Sequence, residues 1–395
     1  MTLPLEGIRI VDFSTLLPGP VATMMLADMG AEVIRVESFT RPDLLRHLSP
    51  RAGKVSAAHA YLNRNKRSVA VDLKHPQARA WVLRLIETAD VLVEQFRPGV
   101  MDRLGLGYSA VAERNPRLVY CSITGYGQTG PWAHRAGHDI NYLALSGVAS
   151  NGGRRDTGPT LNGIQIADVA GGAHHAVIGI QAALLKAMKT GQGDHVDISM
   201  TDAALTLNHL AWAGYLAGGP VPEPEGDVLN GGGIYDYYCT ADDRFMAVGS
   251  LEPQFAQALC QALGDPDKVS LLLGQRPDDR KAAKDWLRER FASHNQAHWV
   301  RVFANVDACV EPVLDFVEVQ AHPQIQSRDL FVEVSTETGT VRQPAPPIRF
   351  ARSGVRREHD PGAILGHHTR DVLQELGASD EEIGLLLKSR AFHQP

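Results

Sequence analysis

Three stretches decide the fold class: the run Ile8-Arg9-Ile10-Val11-Asp12-Phe13, the turn Leu17-Pro18-Gly19-Pro20, and the run Glu32-Val33-Ile34-Arg35-Val36. The first and third are short and rich in β-branched residues, and they read as buried strands. Residues 21–29 between them carry helical periodicity. A strand–helix–strand unit of about thirty residues favours a parallel sheet, because parallel neighbours need a crossover. The pattern recurs, with strands at 68–73, 90–94 and 118–123 and helices at 77–88 and 110–114. Four or five such strands make an open, Rossmann-like α/β domain.

Further on, residues 164–189 are mostly apolar and helical, and Gly191-Gln192-Gly193-Asp194 ends them. Residues 195–200 alternate as a strand does, and 201–216 are helical again. A stretch rich in Gly, Pro and Glu follows at 218–226 and reads as a linker or surface loop. Runs at 235–239 and 245–249 then form a hairpin around Ala241-Asp242-Asp243-Arg244, with helices at 253–264, 280–292 and 296–304. That is a second domain of different texture. Residues 330–350 are strand-like with several prolines, and the tail at 369–389 is helical.

Composition narrows the function. The chain has 395 residues, is 44% hydrophobic and 21% charged, and carries a formal net charge of -6 with both signs spread along it. A nucleic-acid partner would want a concentrated basic patch, which the sequence lacks. Cys121, Cys239, Cys260 and Cys309 form no CxxC pair and show no zinc spacing. They read as reduced thiols of a cytoplasmic protein. No signal peptide, membrane span or peroxisomal tripeptide is expected.

Several residues have the chemistry of a site. Gly137-His138-Asp139-Ile140-Asn141-Tyr142 places a histidine between a glycine and an aspartate at a loop-to-helix junction. Asp168 lies thirty positions on, within Ile166-Ala167-Asp168-Val169-Ala170-Gly171-Gly172. A carboxylate in so apolar a stretch is costly unless it is paired or used. It also fits the N-cap of the helix that follows. Glu252, in Gly249-Ser250-Leu251-Glu252-Pro253-Gln254-Phe255, sits where a strand gives way to a helix, where an acid also suits the helix dipole. Arg64, Lys66, Arg67, Arg97 and Arg103 flank strand ends, where cations gather phosphorylated ligands or simply face solvent. Leu17-Pro18-Gly19-Pro20 is not a GxGxxG fingerprint, which disfavours a nicotinamide or flavin enzyme.

Taken in order, these motifs resemble the family III CoA-transferase (CaiB/BaiF) superfamily over nearly the whole chain. They include Asn63-Arg64-Asn65-Lys66-Arg67-Ser68, Phe96-Arg97-Pro98-Gly99-Val100 and Gly125-Tyr126-Gly127-Gln128-Thr129-Gly130-Pro131. Within the superfamily the hexapeptide around His138, the Glu252 segment and Phe303-Ala304-Asn305-Val306-Asp307-Ala308-Cys309-Val310 resemble the α-methylacyl-CoA racemases most. The resemblance implies the family III CoA-transferase fold: a large α/β domain built from 1–200 and 326–395, a linker at 201–225, and a smaller α+β domain at 226–325. It also implies an interlocked homodimer with active sites between the large domain of one subunit and the small domain of the other.

The resemblance further implies catalytic roles for His138, Asp168 and Glu252, with Asp139 in support. CoA contacts would fall at Leu17, Val71, Asp72, Leu73, Lys74, Phe96, Arg97, Arg103 and Tyr126. CoA enters as part of the substrate, with no metal and no other cofactor. Two departures stand out: residues 38–61 are longer than in compact racemases, and Ser38 stands where relatives often carry a CoA-binding arginine. The implied reaction is inversion at C2 of a 2-methylacyl-CoA, with backbone N–H groups at the Asp168 helix start holding the enolate. The alternative is CoA transfer between carboxylic acids through a thioester on Asp168, which has no need of His138 and Glu252. A CoA-binding regulator without activity is a third reading.

Overall fold

The computed structural model describes residues 2–354, 356 and 358–395. It divides into two compact units, one of Met1–Ser146, Gly163–Leu207 and Arg328–Pro395, the other of Gly147–Asn162 and Asn208–Ser327.

The first unit is built on a seven-stranded sheet. In spatial order its strands are Phe392–His393, Lys66–Val71, Glu32–Glu37, Arg9–Asp12, Val91–Glu94, Val119–Thr124 and Asp194–Ser199. Six run parallel, and the short edge strand Phe392–His393 runs antiparallel to Lys66–Val71. The sheet is thus larger than the four or five strands read from sequence. Its inner strands are buried on both faces, as a covered parallel sheet requires. Val82, Leu85 and Ile86 of helix Pro76–Glu87 share one apolar cluster with Ile383 and Leu386 of helix Asp380–Lys388. The end of the chain therefore completes the core begun by its start.

One strand differs from the sequence reading in register. The sequence pattern predicts 68–73; the strand is Lys66–Val71, paired from Val33↔Lys66 onward. Lys66 is buried, and hydropathy does not anticipate that. Its Nζ donates to Thr23 Oγ1 at 2.7 Å, Pro20 O at 2.9 Å and Asn63 Oδ1 at 3.0 Å, and pairs with Asp12 at 3.3 Å. These partners replace the lost hydration. Asp72, Leu73 and Lys74 consequently leave the strand and form a loop at its carboxyl end. Because the six strands are parallel, the loops after Asp12, Glu37, Val71, Glu94, Thr124 and Ser199 share that edge, where ligands of open α/β sheets bind.

The second unit holds a three-stranded antiparallel sheet in the order Val310–Pro312, Phe245–Val248, Asp236–Cys239. The predicted hairpin is two of its strands. Val310–Pro312 escaped the sequence reading because it is three residues long and ends in proline. Helices Pro253–Ala262, Pro277–Ala292 and Gln296–Phe303 supply Leu259, Leu287, Phe291 and Trp299 to a core with Tyr238 and Met246. Among the described residues, no helix is long and apolar enough to cross a membrane.

Candidate active site

The carboxyl edge of the large sheet opens into a cleft of about 430 Å³ within the first unit. Leu16, Pro18, Gln95, Phe96, Arg97, Gly137, His138, Tyr142, Asp168 and Met200 are among its walls. His138 and Asp168, thirty residues apart in sequence, thus line one cavity.

His138 is the N-cap of helix Asp139–Leu145. Its backbone N–H donates to Asn141 Oδ1 at 3.0 Å, which fixes the main chain while the imidazole stands exposed in the cleft. Gly137 is required sterically: a Cβ there would stand 2.6 Å from Tyr142 Cε1 and 2.7 Å from the Tyr126 hydroxyl. The Tyr142 hydroxyl donates to Gly137 O at 2.6 Å, and the Tyr142 ring meets Tyr126 edge-on at 5.3 Å. The histidine is therefore presented by an aromatic brace.

Asp168 does not cap its helix, contrary to the reading from sequence. Ile166 takes the cap position, and Asp168 lies inside a π-helical stretch, Ala167–His174, that runs into helix His175–Thr190. Gly171 and Gly172 let the wide turn approach Met200 and Pro18, where a Cβ on Gly172 would come within 3.0 Å of Pro18 Cβ. Single π turns concentrate at functional sites because they re-aim side chains. The backbone N–H of Asp168 donates to Asp139 Oδ1 at 3.0 Å, and that of Val169 to Gln165 O at 3.0 Å. Of the donors expected at this helix start to hold an enolate, the N–H groups of Asp168 and Val169 are thus engaged. By contrast, the N–H groups of Asp139 and Ile140, which open the helix after His138, have no partner among the described residues.

Electrostatics tune Asp168. Burial pushes its carboxyl up to about 6, and the Asp139 carboxylate adds to the rise while His138 opposes it. A carboxylic acid near neutrality exchanges protons readily at physiological pH. Glu94, buried beneath the cleft at the end of its strand, is pushed up to about 7 by desolvation; it accepts the Phe96 N–H at 2.8 Å and so holds the Phe96–Arg97 turn.

The structure distributes the expected CoA contacts unevenly. Phe96 and Arg97 line the cleft, and Leu17 lies between Leu16 and Pro18, which do. Tyr126 braces the wall. Asp72, Leu73 and Lys74 lie on the same sheet edge, three strands away. The Val71 side chain is 1% exposed within the core cluster, so it is the backbone of Val71 that faces this edge. Arg103 is exposed beside Gly99 and is not part of the cleft wall. Glu252 belongs to the second unit, exposed at the N-cap of Pro253–Ala262 and close enough to Cys309 to help raise that thiol. Sequence reasoning missed Gln95, whose Oε1 accepts the Gly19 N–H at 3.0 Å, and Arg135, which stacks on Trp132 at 4.1 Å. Their only signal is nearness in sequence, Gln95 next to Phe96 and Arg135 two residues before Gly137. Among the described residues, no group of three or more His, Cys, Asp or Glu is placed to hold a metal ion.

An acid and an imidazole lining one cleft at the carboxyl edge of a parallel sheet can move protons on a bound ligand, and comparison with known proteins gives the family. Residues 5–369 match the model of CoA-transferase family III, and the chain belongs to that family. It is similar to the human alpha-methylacyl-CoA racemase, with 38% identity over 388 residues, covering 96% of this chain and 95% of the relative. It is also similar to the human succinyl-CoA:glutarate CoA-transferase, with 34% identity over 99% of this chain and 90% of the relative. Among solved structures, a CaiB/BaiF family protein from Brucella suis superposes with a TM-score of 0.81 at 29% identity, over 95% of this chain and all of that one. The protein is therefore an enzyme of the CoA-transferase and racemase family.

Proposed function

We propose that the protein inverts the configuration at C2 of a 2-methylacyl-CoA. The observation that carries this reading is His138 and Asp168 lining one cleft, with Asp168 held near a pKa of 6. The proton α to a thioester carbonyl is weakly acidic, so its removal needs a positioned base and support for the enolate oxygen. His138 takes the proton from one face, and the C2–H electron pair passes into the enolate. Asp168, in its protonated form, delivers a proton to the opposite face. In the reverse direction the two exchange roles. The unpaired N–H groups of Asp139 and Ile140 supply donors beside the imidazole for the enolate oxygen. Glu252, contributed by a second subunit of a homodimer, orients the imidazole. Phe96, Arg97, Leu17, Tyr126 and the Asp72–Lys74 loop hold the CoA portion.

The similarity to transferases supports a second reading. Asp168 would attack the thioester carbonyl, forming a mixed anhydride and expelling CoA thiolate; the thiolate would then attack the aspartyl carbonyl, releasing the first carboxylate and leaving an aspartyl-CoA thioester, which a second acid takes over by the reverse steps. Incubation of each C2 epimer with the enzyme, followed by chiral analysis, separates the two. Inversion lost in both His138→Ala and Asp168→Ala supports the racemase. Transfer of CoA to a free acid, with His138 dispensable, would refute it.

A further inference from the structure

The far end of the sheet edge carries cations that the cleft does not use. Helix Asp380–Lys388 closes in a Schellman motif, with the Arg390 N–H donating to Leu387 O at 3.1 Å and the Ala391 N–H to Leu386 O at 3.0 Å. The residue after such a cap is left-handed and is ordinarily glycine. Here it is an exposed arginine, Arg390, with φ 58. The chain then enters Phe392–His393, antiparallel to Lys66–Val71, so Arg390 lies at the carboxyl end of that parallel strand. The Asp72 N–H donates to Ala391 O at 3.0 Å, which ties the two loops together.

The Arg390 guanidinium stands 6.0 Å from the centroid of Phe39, whose other neighbour is the His393 ring at 5.6 Å. Phe39 follows the adjacent strand, Glu32–Glu37, in a turn closed by Ser38 Oγ, which accepts the Arg41 N–H at 3.1 Å. The aromatic face thus steadies a guanidinium whose charge is not otherwise neutralised. Among the described residues, neither Arg390 nor Lys74 has an ion-pair partner. The one acid in the loop, Asp72, accepts the Lys74 N–H at 3.0 Å.

We infer that Arg390 and Lys74 form a phosphate-binding subsite for the nucleotide end of CoA, with Phe39 positioning the guanidinium. The inference rests on the CoA-thioester reading above. Strand Lys66–Val71 is three strands from Val91–Glu94, which places the subsite about 14 Å along the edge from the Phe96 turn at ~4.8 Å per strand. In a CoA thioester the pantetheine arm separates the phosphates from the reacting carbon, and the edge provides that same separation. The resemblance already implies Lys74; Arg390, delivered by the last helix, is the new residue.

Arg390→Gly tests this without a folding penalty, because glycine is the preferred residue at a left-handed cap. Calorimetric titration of the full-length protein with CoA, 3′-dephospho-CoA and pantetheine gives the readout. The variant is expected to bind CoA about tenfold more weakly, the loss of one charge-assisted contact, with pantetheine unaffected. A tenfold loss that persists with dephospho-CoA assigns the pyrophosphate, and one that vanishes assigns the 3′-phosphate; either supports the subsite. CoA binding equal to wild type would overturn it and leave the CoA reading intact. A wild-type protein that binds no CoA would overturn both.

Discussion

Replacing Asp168 by asparagine is expected to remove activity and to stabilise the protein in a pH-dependent way. Burial lifts the Asp168 carboxyl from its ordinary 3.8 to about 6, so the folded state resists its ionisation. A shift of about 2 units corresponds to roughly 3 kcal/mol. Solvent at the cleft mouth screens a half-buried group, which leaves about 1–2 kcal/mol. The sign follows from proton binding. Between pH 3.8 and 6 the folded state holds this proton more than the unfolded state does, so wild-type stability falls as pH rises through that window. Asparagine carries no charge at any pH. Its advantage is therefore absent below about pH 3.8, about a third developed at pH 4.5 and complete above about pH 7. Thermal melts of both proteins at several pH values read this directly, with an expected gain of about 1–3 °C at pH 8 for a chain of this length. A gain that is flat with pH, or largest in acid, would refute the account of Asp168.

Other substitutions probe the remaining contacts. Asp139→Asn removes a negative neighbour that raises Asp168, so the Asp168 pKa is expected to fall below about 6, as read by NMR titration of the labelled carboxyl. Gly137→Ala drives a Cβ into Tyr142 and Tyr126 and is expected to cost about 1–3 kcal/mol and at least about tenfold in turnover. Glu94→Ala leaves the half-buried Phe96 N–H without its acceptor, so KM for acyl-CoA rises and stability drops by about 1 kcal/mol; Glu94→Gln keeps an acceptor and recovers most of the loss. In the second unit, Phe291→Ala empties a fully buried site beside Trp299 and is expected to cost about 3–5 kcal/mol, followed by tryptophan fluorescence in denaturant.

The sequence announced the parallel sheet because its strands are short β-branched runs separated by helical periodicity. It announced His138 because a glycine, a histidine and a helix start stand together. It did not announce what depends on contacts distant in the chain. Lys66 reads as a surface cation, yet four oxygens from Asp12, Pro20, Thr23 and Asn63 bury it and reset its strand. Asp168 reads as a helix cap, yet a π-helical stretch turns it into the cleft, and Asp139 takes its N–H. Arg390 carries no local signal, yet the antiparallel edge strand brings its loop beside Asp72. Local pattern reports local structure; each of these exceptions is decided by a partner thirty or more residues away or by a rare helical geometry.

The most direct test of the central claim is α-proton exchange in heavy water, followed by NMR from each C2 epimer of a 2-methylacyl-CoA separately. Two bases on opposite faces predict that wild type exchanges and inverts both epimers. His138→Ala is then expected to keep exchange from one epimer only, Asp168→Ala from the other only, and neither to invert. Exchange absent in wild type, with CoA passing to a free acid through Asp168 alone, would contradict the account.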